Sequence, residues 1–250
     1  DKATENIKDK NFDITDISSK VVNRNPSGPF TTSTLQQVAS SRLGFGTSRT
    51  MQIAQRLYQG IEIDGETIGL ITYMRTDGTN LSADAITDFR NYIKNKYGKE
   101  YLPENPLNYS GKKAKNAQEA HEAIRPTDIS RSPETVKKYL SSDQQKLYNL
   151  IWSRALSSQM ETAKFDRSTI TITSKDGDTI CKTSGSVLKF DGYLKVFPSP
   201  SKDDDESILP EMFKGPINIE ALFDEQHFTQ PPPRYSEASL VKKLEELGIG

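Results

Sequence analysis

The chain has one cysteine, Cys181, and two histidines, His121 and His227, among 250 residues. A single thiol excludes an internal disulfide and any metal site built from several cysteines. Long apolar runs are missing as well. None approaches the roughly 18 residues needed to span a bilayer, and the first ten residues, DKATENIKDK, lack the apolar core of a signal peptide. The expectation is a cytoplasmic protein with no membrane partner, although a chain that does not start with Met can be a piece of a longer one. Neither a P-loop nor a Gly-rich dinucleotide fingerprint is present, which removes support for nucleotide hydrolysis and hydride transfer. An excess of charge of one sign is lacking too: 33 Lys and Arg stand against 34 Asp and Glu, a net charge of −1. That argues against a uniformly basic coat for nucleic acid. The charge is unevenly spread, with 17 basic against 14 acidic residues over 28–163 and 5 against 11 over 200–250. Of these two regions the first, around Tyr73, carries a small positive surplus.

What is present is a polar chain, 34% hydrophobic and 27% charged, long enough for one large domain or two modest ones. Phe12, Ile14, Ile17, Val21 and Val22 suggest short β runs before a break at NPSGP. From Thr31 the spacing of Leu35, Val38, Ala39 and Leu43 is helical and stops at Gly44. Thr47 or Ser48 can cap a second helix carrying Met51, Ile53, Ala54 and Leu57. IEIDGETIGLIT reads as a hairpin turning at Asp64 and Gly65, whose second strand delivers Tyr73. Ser82 can cap a helix over 83–96. YLPENPLNYSGKKAKNAQ is a long loop, and QEAHEAIRPTD a short helix ended by Pro126. Two further helices begin near Pro133 and Ser142. At Phe165 the pattern changes to alternation, with KDGD as a hairpin turn. SPSKDDDES reads as an exposed loop, INIEALFDEQHFTQ as a last β run, and SEASLVKKLEELGIG as a capped amphipathic helix. The expected fold is α+β: a helical domain, 28–163, inserted into a discontinuous β-rich domain, 1–27 and 164–229, with 230–250 opening a further helical domain. Two rigid parts joined by paired connections can move against each other.

The stretch with the densest chemistry is Gly69–Ser82, GLITYMRTDGTNLS. On a strand, Tyr73, Arg75 and Asp77 would share a face. A phenol is a poor nucleophile until a nearby cation favours its phenolate, and the same guanidinium can hold a phosphate through its fork. The run suits attack by tyrosine on a phosphodiester. The ordinary alternative, a strand aromatic beside a solvated arginine, stays open on these two residues alone. His121 lies between Glu119 and Glu122 and in a helix shares a face with Arg125. A lone histidine is more often a surface or packing residue, and His227 carries no assigned role. Asp203, Asp204 and Asp205 are consecutive, which suits a solvated loop better than a metal site, so no metal ligands are assigned.

Four motifs in order resemble bacterial DNA topoisomerase I, a type IA topoisomerase: PFTTSTLQQVASSRLGFG at 29–46, GLITYMRTDGTNLS at 69–82, AHEAIRPTD at 120–128 and YSEASLVKKLEELGIG at 235–250. The Met in TYMRTD is similar to the topoisomerase I branch rather than the topoisomerase III branch, and Gly78 departs from the Ser that members commonly carry. The resemblance implies that Tyr73 is the nucleophile, forming a 5′-phosphotyrosine while a 3′-hydroxyl is freed, and that Arg75 binds the phosphate. It further implies that His121 contacts DNA phosphate with Asp77 as partner, and that Arg125 is a second phosphate-binding candidate. The substrate would be single-stranded and negatively supercoiled DNA, relaxed without ATP by a monomer acting at the nucleoid. Mg²⁺ would be bound by an acidic N-terminal domain that has no counterpart in these residues, leaving a central fragment inactive by itself. Two alternatives remain: a non-catalytic single-stranded DNA module in which Tyr73 stacks on a base, and the topoisomerase part of a reverse gyrase.

Overall fold

A computed structural model describes residues 10–109, 122–198, 212–221 and 225–249, with the single positions Ile7 and Phe223. The fold is α+β, as expected. The chain divides into two compact units, one from Asp1–Arg24, Ala163–Asp191 and Ser199–Pro233, the other from Asn25–Thr162, Gly192–Pro198 and Arg234–Gly250.

The first unit is an antiparallel sheet of four strands in the order β5-β4-β1-β6. The strands are β1 (Phe12–Arg24), β4 (Ala163–Ser174), β5 (Ile180–Phe190) and β6 (Gly215–Ile217). Where the sequence suggests short β runs, β1 is one strand of 13 residues, because β4 pairs with it along its whole length, from Phe12 opposite Ser174 to Arg24 opposite Ala163. The ladder slips once between Ile14 and Asp16, which is the signature of a bulge. The KDGD turn forms with Gly177 at φ +80°. Lys10 reaches Asp176 in it at 2.8 Å. Hydrogen bonds from Lys10, Ser174 and the Asp178 N–H hold the Asp176 carboxyl down to about 2. The β run expected over 217–230 is corrected. Among the described residues only Gly215–Ile217 pair, while Ile219, Phe223 and Phe228 stand exposed and offer no buried face on which a strand could form.

The second unit holds the helices and the larger core. Helix α1 (Thr32–Leu43) starts at a reciprocal cap between Thr31 and Thr34 and stops where Gly44 turns left-handed at φ +67°. Helix α2 (Thr47–Gln59) is not capped by Thr47 or Ser48. Its N-cap is Gly46, which has no side chain, and the Glu237 carboxylate instead accepts from the Thr47 N–H at 2.9 Å and from its hydroxyl at 3.1 Å. An anionic side chain at a helix N-terminus is favourable for the dipole. Strands β2 (Ile61–Ile63) and β3 (Glu66–Ile68) form the expected hairpin. Asp64 and Gly65 both have positive φ, +50° and +90°, as a type I′ turn requires. Helices α3 (Ala83–Lys96), α4 (Pro133–Val136), α5 (Ser142–Ser157) and α6 (Glu237–Glu246) follow. Ser82 caps α3 as expected, and a Ser141–Gln144 box caps α5. The core gathers Phe30, Leu35, Leu57, Ile71, Phe89 and Trp152 with the buried stripe of α5. Helix α6 packs within this unit against α1, whereas the sequence pattern places 230–250 in a separate part.

Candidate active site

The hairpin does not carry Tyr73 on its second strand. β3 ends at Ile68, and the chain then runs irregularly through the motif, pairing with Pro126 by an isolated bridge at Ile71. Leu70 N donates to Leu57 O at 2.8 Å and Thr72 N to Arg125 O at 2.9 Å. Gly69 permits this close course: a Cβ there would meet the Tyr58 carbonyl oxygen at 2.7 Å. The face-sharing inferred from a strand nevertheless survives as an alternation. Met74 and Thr76 are buried, whereas Tyr73, Arg75 and Asp77 are exposed. Buried anchors thus hold the intervening side chains outward.

Tyr73 is 42% exposed. Its ring meets that of Tyr58, on the last turn of α2, edge to face at 5.4 Å between centroids, a favoured aromatic geometry. Arg75 and Asp77 line a cavity of about 540 Å³ with Thr32, Ser33 and Thr76 on one side and Val241, Leu244 and Glu245 of α6 on the other. Gly78 donates its N–H to the Thr76 hydroxyl at 2.9 Å and is not among the residues with positive φ, so the backbone there does not require glycine.

The segment expected to be a helix up to Pro126 is extended over 122–126. Its backbone is taken by neighbours instead: Ile124 N donates to Phe30 O at 2.8 Å and Ala123 N to Asn80 O at 2.9 Å. A helix could not make these bonds, since its amides would be used internally. Arg125 is largely buried and turned inward. Its Nε donates to Glu122 at 2.6 Å, its second terminal nitrogen to the other Glu122 oxygen at 3.0 Å, and the first to the Pro126 carbonyl at 2.9 Å. Burial works against the charge of Glu122, but hydrogen bonds from Arg125 and the Ser82 N–H, with the charge of Arg125, outweigh it and keep the carboxyl below its usual range. Glu122 therefore ties the N-cap of α3 to the 122–126 segment, and Arg125 holds Glu122 in place. His121 lies outside the described residues, as do Asp203, Asp204 and Asp205. His227 is exposed near Glu225.

Three residues that shape the site are hard to find in the sequence. Tyr58 reaches Tyr73 only through tertiary packing, and nothing local marks it. Thr32 is one hydroxyl in a run of them at a helix start, where one cap would suffice. Glu122 had a legible signal, a carboxylate three residues before Arg125, but that spacing also suits a helical pair.

This α+β chain matches the model of the DNA topoisomerase family over residues 1–250, and it belongs to that family. Among the relatives, DNA topoisomerase 1 of Rickettsia felis is 50% identical over 251 residues, 99% of this chain and 32% of that protein. DNA topoisomerase 1 of Salmonella typhimurium is 47% identical over 240 residues, 96% of this chain and 26% of that protein. The solved full-length topoisomerase I from Thermotoga maritima superposes with a TM-score of 0.82 at 39% identity, covering 100% of this chain and 40% of its own. The chain thus spans about a quarter to a third of the length of the curated relatives it matches. No helix among the described residues is long and apolar enough to cross a membrane.

Proposed function

We propose that these residues supply the nucleophile of a type IA DNA topoisomerase. The Tyr73 hydroxyl oxygen attacks a phosphodiester of a single DNA strand, forming the tyrosine–phosphorus bond and breaking the bond from phosphorus to the 3′ oxygen. The proton lost from the phenol is balanced by the one the freed 3′-hydroxyl takes up. The phosphotyrosine keeps the phosphodiester's bond energy, so the 3′-hydroxyl reverses the step and religates the strand without ATP. The observation that carries this reading is the exposure of Tyr73 and Arg75 on one loop held by buried Met74 and Thr76, in a chain of the DNA topoisomerase family. Arg75 is assigned to the attacked phosphate, Asp77 to orient His121, and His121 to a neighbouring phosphate. Arg125 serves this site best by position, because its guanidinium is already committed to Glu122.

Among the described residues no three acidic, histidine or cysteine side chains gather into a set that could hold a metal ion. Mg²⁺ therefore does not fit these residues, and no step is routed through it. In this reading the ion is bound by the parts of the longer relatives that this chain does not span. The sheet unit serves as a hinge for the helical unit, and the protein works as a cytoplasmic monomer that relaxes negative supercoils.

The test is Tyr73→Phe in a full-length topoisomerase 1 carrying this 250-residue segment. Supercoil relaxation is expected to disappear while oligonucleotide affinity is retained. Undiminished relaxation would sink the reading and leave Tyr73 as a surface for base stacking.

A further inference from the structure

We propose that Thr32 is a positioning residue for strand cleavage: its hydroxyl pins the backbone on both sides of Arg75 and thereby aims Arg75 and Tyr73. The inference rests on the reading of Tyr73 as nucleophile.

Thr32 opens α1, but the helix does not need it as a cap, since Thr31 and Thr34 satisfy each other there. Its groups go instead to the Tyr73 loop. The hydroxyl donates to Met74 O at 2.8 Å, with Thr76 O a second acceptor at 3.1 Å, and it accepts from Thr76 N at 2.8 Å. The Thr32 N–H, one of the amides that a helix start leaves unpaired, donates to Thr76 O at 2.8 Å. One residue thus fixes the carbonyl before Arg75 and both the amide and the carbonyl after it. This stretch has no strand to hold it. The bridge to the 122–126 segment ends at Thr72, and beyond Arg75 the Gly78 N–H bonds to the Thr76 hydroxyl. Loss of the Thr32 hydroxyl removes three of the four bonds that Thr32 makes to the backbone of Met74 and Thr76 and leaves the one from its N–H. Arg75 would then swing, and Tyr73, two residues away, with it. Small displacements of reacting groups cost rate more than they cost affinity.

The decisive substitution is Thr32→Val, which keeps the β-branch and the backbone N–H and removes only the hydroxyl, again in a full-length topoisomerase 1 carrying this segment. Single-turnover cleavage of an oligonucleotide is expected to fall about 10- to 100-fold. Oligonucleotide affinity should stay within about twofold, and Thr32→Ser should restore cleavage. A purely structural role would lower the melting temperature and leave the cleavage rate per folded molecule unchanged, and that result overturns the proposal, as does failure of Thr32→Ser to rescue. Should Thr32→Val not fold, Thr32→Cys replaces it, with cleavage expected between that of Thr32→Ser and none. Tyr73→Phe is run beside these. If it still cleaves, the nucleophile reading itself fails; if it is dead while Thr32→Val is fully active, only the role of Thr32 falls.

Discussion

Tyr109 shows at the scale of one residue how this unit is held together. Its hydroxyl donates to Ser158 O at 2.9 Å and lies 3.2 Å from Pro26 O. Its ring sits where Gly28 leaves room, since a Cβ there would come within 2.9 Å of it. Burial pushes the phenol up to about 12, against the opposing pull of the Arg154 charge. The unfolded phenol ionises near ~10, so the folded state favours the protonated form. The stability this contributes is complete below about pH 10 and is lost as pH rises toward 12. Tyr109→Phe should cost roughly 1–3 kcal/mol near neutral pH, because buried carbonyls lose their donor. It should also flatten part of the alkaline decline. Urea unfolding of both proteins from neutral pH to about pH 11 checks this. An identical alkaline loss in the two would show that Tyr109 does not carry it.

At the scale of elements, the sequence was most readable where local chemistry decides the outcome. The turn at Asp64 and Gly65, the stop at Gly44 and the cap at Ser82 all follow from backbone and side-chain preferences within a few residues. The structure departs from the local pattern where distant partners decide. Glu122–Pro126 is extended because Phe30, Thr72 and Asn80 take its amides and carbonyls, and α2 is capped by Glu237, 190 residues away in sequence. Tyr73 itself lies off the strand that the alternation suggested, yet the alternation correctly separated exposed from buried side chains. Gly69 is the element-scale test. Gly69→Ala would bring a methyl within 2.7 Å of the Tyr58 carbonyl, and a backbone atom cannot swing aside as a side chain can. A loss of roughly 1–3 kcal/mol in stability is expected, together with weakened contact between Tyr58 and Tyr73. Denaturant unfolding measures the first and tyrosine fluorescence the second. A variant as stable as the parent would mean that α2 and the 69–73 segment are not rigidly seated.

At the scale of the whole molecule, membership of the DNA topoisomerase family and the exposed phenol support one proposal, that Tyr73 becomes covalently joined to DNA. The α+β fold and the motif order were legible because they span the chain, whereas His121, the partner proposed for Asp77, lies outside the described residues. The isolated chain spans about a quarter to a third of its relatives, and by this account it forms no adduct alone. The most direct measurement is to trap the covalent complex of a full-length topoisomerase 1 carrying this segment with a labelled single-stranded oligonucleotide, digest it, and sequence the nucleotide-bearing peptide by mass spectrometry. The account predicts a 5′-phosphoryl nucleotide on Tyr73, within GLITYMRTDGTNLS, and none from the isolated chain. A nucleotide on any other residue, or one joined through its 3′-phosphate, would contradict it.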